Sequence, residues 1–131
     1  AVEFLIKNKD ETIIELLKQN VREIEKSVGK KQKKELVKHD LQFHRNICNF
    51  TKNQKLIDIW EEFQSQVEIL IALESGFYER FNLLATEHHE LLSLILNGEI
   101  KKAQEKVKTH IFQALYFLKD SLENSANKKE K

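Results

Sequence analysis

Proline is absent from this chain, and with it the residue that most reliably breaks a helix interior. Glycine occurs only 3 times, which leaves few positions suited to left-handed backbone. The single cysteine, Cys48, excludes an intramolecular disulfide and fits a reducing, cytoplasmic setting. No apolar run approaches the length of a membrane span, and the N-terminus lacks the cationic-then-apolar pattern of a signal peptide. An excess of one charge is missing too. Lys+Arg number 22 against 21 Asp+Glu, a net charge of +1 that creates no global field for nucleic acid or membrane. The three arginines, Arg22, Arg45 and Arg80, are few for phosphate or base readout, so DNA binding by this chain alone is not expected.

What is present favours helix. Leu, Ile, Lys, Glu and Gln dominate, and apart from β-branched Ile these are helix-compatible residues. A chain of 131 residues is expected to form one domain with a real core. Ala1 to Lys7 is a short apolar stretch, read as the end of a truncated helix, and the start without Met suggests a fragment whose N-terminal partner domain is missing. Asp10 then suits an N-cap for a helix carrying Ile13, Ile14, Leu17, Val21, Ile24 and Val28 on one face, with Gly29 as its stop. The Lys30, Lys31, Lys33, Lys34 run reads as a solvated loop and first turn.

Further helices are expected from Gln32 to Phe50, from Gln54 to Leu73, from Leu84 to Leu96 and from Glu99 to Leu122. Asn49 with Thr51 to Asn53, Glu74-Ser75-Gly76 and Asn97-Gly98 supply the breaks. The long helix from Gln54 to Leu73 places Leu56, Ile59, Trp60, Phe63, Val67, Leu70 and Ile71 on one face, and the last aligns Ile100, Val107, Ile111, Ala114, Leu115 and Leu118. Phe77 to Leu83 is an unassigned connector, and Glu123 to Lys131 is expected to fray. With no strand alternation competing, the fold class is an all-α antiparallel bundle of about six helices.

Four side chains stand out inside this pattern. Asp40 and His44 are four residues apart, so a helix stacks them on one face. On a wheel with Leu36 at zero they fall near roughly 40° and 80°, inside an apolar arc from about −40° to +140° that holds Leu41, Phe43, Ile47, Cys48 and Phe50. His39 sits at the edge of that arc and Arg45 points away. His88 lies among Leu84, Leu91, Leu92 and Ile95, whereas His89 turns to the rim. His110 lies on the shoulder of its arc, beside Ala103, Ala114 and Phe117.

A lone aspartate in a core costs several kcal/mol, on the order expected for an unpaired buried charge, unless a partner or a cation offsets it. Two explanations compete. The aspartate and histidines satisfy one another by hydrogen bonds, or three imidazoles and a carboxylate converge on a transition metal. Standard zinc signatures do not decide it: Glu87-His88-His89-Glu90 is not H-E-x-x-H, and there is no second cysteine.

The segment Asp40-Leu41-Gln42-Phe43-His44-Arg45, with Asn53 and Leu56 after it, resembles the D-x-x-F-H-R…N-x-x-L pattern of the FCD effector-binding domain in the FadR subfamily of GntR-type bacterial transcription regulators. Glu87-His88, followed by Leu91, Leu92, Gly98-Glu99, Ala103 and His110, resembles that family's E-H-x-x-(I/L)-L…G-D…A…H segment, and the step of 22 residues from His88 to His110 is its spacing. Glu99 stands where the family usually has Asp. The resemblance implies a bundle of six or seven helices in which Asp40, His44, His88 and His110 hold a divalent metal, be it Zn, Ni, Mn or Fe. It also implies a small carboxylate effector such as an organic or sugar acid, a homodimer, and DNA contacts through an N-terminal winged-helix domain absent from this sequence.

For the second end of such an effector, Arg80 in the connector and Gln64 and Gln66 beside the long helix's apolar face are the polar groups in reach. A sensing domain without enzymatic activity is therefore the primary expectation. A metal-dependent hydrolase, with Glu87 as the nearest general base, and a metal-free helical interaction module are the rival readings.

Overall fold

Asp10 sets the first firm boundary: its side chain accepts a hydrogen bond from the Ile13 backbone N–H at 2.9 Å, satisfying one of the donors a helix start leaves open. In the computed structural model the described residues, 1–73 and 81–129, form six helices and no strand; side chains are described except at 70–73, 81, 113–115, 117–118, 121–122 and 124–129. They are α1 (Val2–Asn8), α2 (Glu11–Gly29), α3 (Lys33–Phe50), α4 (Gln54–Leu73), α5 (Phe81–Leu96) and α6 (Ile100–Lys129). The all-α bundle expected from the composition is what forms.

Several boundaries differ from the sequence reading. The first apolar stretch is a packed helix, since Val2, Leu5 and Ile6 share one face and are buried. Gly29 is the last residue of α2 instead of its left-handed stop, and the positive φ (55°) falls on Lys31, whose N–H bonds the Val28 carbonyl. Gly98 does take the left-handed turn foreseen for it, with φ 72°. The helix α5 starts at Phe81, so the end of the expected connector is helical, and the remainder, like Glu74-Ser75-Gly76 and Arg80, lies outside the described residues. The last helix runs past the expected end at Leu122.

Packing follows the apolar faces. Ile13, Leu17, Val21 and Ile24 of α2 meet Leu36, Val37, Leu41, Phe43 and Ile47 of α3, and α5 adds Leu84, Leu91, Leu92 and Ile95 to the same core. α6 packs against α5 with Ala103 buried, while α1 touches α3, α5 and α6. α4 leans mainly on α3 and leaves Ile59 56% exposed, against the expectation that it faced inward; Trp60, Phe63 and Val67 are partly buried there. One polar junction crosses the α2–α3 seam: Asn46 donates to Asn20 Oδ1 at 2.7 Å, and Gln42 donates to Asn46 Oδ1 at 2.9 Å. No described helix is long and apolar enough to cross a membrane.

Candidate metal centre

Asp40 and His44 occupy successive turns on the inward face of α3, and both are buried. α5 brings His88, 1% exposed, directly opposite, and α6 brings His110 from a third side. The three imidazoles converge on one carboxylate oxygen. Asp40 Oδ1 lies 2.6 Å from His88 Nε2, 3.4 Å from His44 Nε2 and 3.9 Å from His110 Nε2. All four expected residues are thus together, including His110, whose wheel position was marginal.

Neighbouring groups fix the rings. His88 Nδ1 faces the Leu84 carbonyl oxygen at 2.7 Å; a carbonyl only accepts, so Nδ1 carries the proton and Nε2 is the atom turned to Asp40. His110 Nδ1 is hydrogen-bonded to the Glu87 carboxylate. Phe43 presses edge-on against His44 and His88 with ring centroids 5.4 and 5.2 Å away, and His44 stacks on His110 at 5.2 Å. Trp60 of α4 closes the remaining flank of His44 at 5.6 Å.

Burial opposes charge at each group whose titration is displaced, and neighbours decide the outcome. At Asp40 the cost of burial is outweighed by the positive charge of His88 and polar contact with His44 and His88, which hold its carboxyl well below the ordinary value. At His44 burial wins and pulls the imidazole down to about 4. At His88 the loss of solvent is overcome by the Asp40 carboxylate and the bond to Leu84, and the imidazole is raised. Two histidines a few ångströms apart are therefore displaced in opposite directions.

Hydrogen bonding does not complete this cluster. Despite their 2.6 Å separation, Asp40 Oδ1 and His88 Nε2 lack the angular geometry of a hydrogen bond, and neither has another hydrogen-bond partner among the described residues. The ligand atoms of Asp40, His44, His88 and His110 all lie within 4.8 Å of one another. That is slightly wider than the roughly 4 Å across one ion, twice a metal–nitrogen bond of about 2.1 Å. Three imidazole nitrogens and one carboxylate oxygen are a donor set suited to a divalent first-row metal, so these residues fit one.

The model of the FCD domain family matches residues 1–113. The chain belongs to the FCD family. An FCD domain is a ligand-sensing regulatory domain, and the match runs through all four inward residues. No curated protein and no solved structure matches the chain.

The other expected site residues fare unevenly in this FCD domain. Gln66 is exposed and Arg80 lies outside the described residues. Gln64 is partly buried, donates to Glu68 at 3.2 Å, and keeps its buried Oε1 without a partner among the described residues. Trp60 Nε1 shares that state and was not foreseen as polar equipment, because its place in an apolar row made it read as core. Glu87, the nearest general base of the hydrolase reading, lies within α5, and its carboxylate is engaged by His110. His89 is exposed at the rim, 3.5 Å from Glu25.

Proposed function

We propose that this FCD domain senses a small carboxylic acid at a divalent metal held by Asp40, His44, His88 and His110, and that it does so as the regulatory part of a GntR-type transcription regulator. The observation that carries this is the buried Asp40 Oδ1, approached by three Nε2 atoms and left without a hydrogen-bond partner among the described residues. Zn, Ni, Mn and Fe all accept such donors, and a bound ion supplies positive charge and open coordination positions for a carboxylate.

The residues divide the remaining work. Phe43 and the stacked His44 and His110 hold the donors in place. Trp60 Nε1 and Gln64 Oε1, a buried donor and a buried acceptor four residues apart on α4, offer hydrogen bonds to the polar end of an effector. Arg80 is the cationic partner in the same reading. Binding that touches α4 as well as α3, α5 and α6 gives unequal affinity for two helix arrangements, which is what a regulatory output requires. In a homodimer that change would reach DNA through a separate winged-helix domain.

The domain acts here as a sensor without turnover. With Glu87 held by His110, the hydrolase reading lacks the base assigned to it. The experiment is metal analysis of chain purified without chelator or histidine tag, followed by thermal shift against a panel of small carboxylic acids. A metal stoichiometry near one, and a shift by one class of acid only in the metal-loaded protein, is expected. Failure to take up Zn²⁺, Ni²⁺ or Mn²⁺ overturns the reading and leaves a helical interaction module.

A further inference from the structure

A second carboxylate lies behind the four donors. Glu87 is 7% exposed, and a buried carboxylate without a partner would cost several kcal/mol, on the order given for uncompensated charges. Its partner is His110 Nδ1, and both side chains are 8% exposed. An ionised carboxylate only accepts, so Nδ1 of His110 donates to it, and Nε2 is the atom facing Asp40.

Backbone geometry explains how adjacent residues serve two helices. Successive residues on α5 are turned by about 100°, so Glu87 addresses α6 while His88 addresses α3. A second rung, Lys106 with Glu90, lies one turn along the same α5–α6 seam and holds its register.

We propose that Glu87 is a positioning residue for the metal centre: by accepting the Nδ1 proton of His110 it selects the tautomer and ring orientation that present Nε2 to the ion. The inference rests on the metal-binding reading above. It adds a residue that touches neither ion nor effector, and it pairs with the Leu84 carbonyl, which sets His88 in the same way. Such outer carboxylates hold a ligating imidazole in place and raise its basicity.

The test uses the whole chain, with Zn²⁺ affinity measured by chelator competition and side-chain tautomers read by long-range ¹H–¹⁵N NMR on metal-free protein. Expected is an Nδ1-protonated His110 in the wild type, and loss of that preference in E87A with affinity about ten- to a hundredfold weaker. E87Q keeps an acceptor without the charge and should weaken binding severalfold; its isosteric side chain covers the case in which E87A does not fold. In an H110A background neither substitution should weaken binding further. Wild-type affinity in E87Q and E87A, or an equal loss with and without His110, overturns the role of Glu87 while leaving the metal site standing. A wild-type chain that takes up no Zn²⁺ overturns the metal-site reading itself.

Discussion

Among the described residues, two polar clusters are buried in this bundle, and they solve the same problem differently. At the α2–α3 seam Gln42, Asn46 and Asn20 form a neutral chain of hydrogen bonds in which each link has a donor and an acceptor. On the same helix, shortly before Asn46, Asp40 and His44 meet His88 and His110 with charge present and with two buried atoms left over. Neutral amides can close among themselves because each offers both donor and acceptor. A carboxylate ringed by imidazoles has acceptors in excess where Nδ1 carries the proton to another acceptor, as at His88 against the Leu84 carbonyl and at His110 against Glu87. The first cluster is complete without help; in the proposed reading, a cation completes the second.

Metal removal should separate the clusters most strongly. With free Zn²⁺ at a hundred times its dissociation constant, binding contributes about 2.7 kcal/mol, on the order of 10 °C in Tm. Calorimetry with and without chelator should show that difference in the wild type and none in H88A. An Asn46→Ala substitution should do the reverse. It leaves Asn20 Oδ1 and Gln42 Nε2 unpaired, costing about 1–3 kcal/mol in urea unfolding, with Zn²⁺ affinity unchanged. Loss of metal binding in that variant would show that the clusters are coupled through α3.

A finer cut lies between metal and effector. Trp60→Phe removes the indole N–H but keeps a ring against His44, so it should weaken carboxylate binding roughly tenfold, the value of one charge-assisted hydrogen bond, and leave metal affinity intact. Equal titration curves for wild type and variant would remove Trp60 from the effector site.

The smallest effect is that of pH on the metal-free domain. His44 titrates at about 4 when folded and near 6.5 when unfolded, so between these values the unfolded chain binds more protons and stability falls as pH falls. Asp40, displaced downward, adds a loss below its ordinary value of 3.8. His88, displaced upward, works oppositely: its contribution is complete below 6.5 and disappears as pH rises through its folded value. Urea midpoints across pH 4 to 8 should therefore peak near neutrality in wild type. The acid slope should shrink in His44→Phe and the alkaline slope in His88→Phe.

Sequence patterning carried most of the fold because helix periodicity is local. The limits of α4 follow from the Thr51–Asn53 break and a single apolar row. Contacts between helices are not local, and there the reading thinned. Ile59 shares the periodicity of Trp60 yet is exposed, because α4 meets chiefly one neighbour, α3. The four inward residues were legible because a charged or imidazole group inside an apolar arc contradicts its surroundings. Glu87 was missed as a partner because nothing in spacing announces that the residue beside an inward histidine is claimed by another helix. A histidine one α6 turn beyond Lys106, which Glu90 engages, is the signal that could have found it.

The turn at Asn97–Gly98 makes α5 and α6 a single hairpin, so the four donors come as two pairs: Asp40 and His44 on one helix, His88 and His110 on one hairpin. In the proposed metal-binding reading, each pair would act as a two-armed chelator. An ion gripping both would be a removable cross-link between distant parts of the chain, closing a loop that the backbone alone leaves open. Its departure would require the hairpin and α3 to part together, so metal exchange is expected to keep time with the opening of the bundle and not with the lability of any one bond.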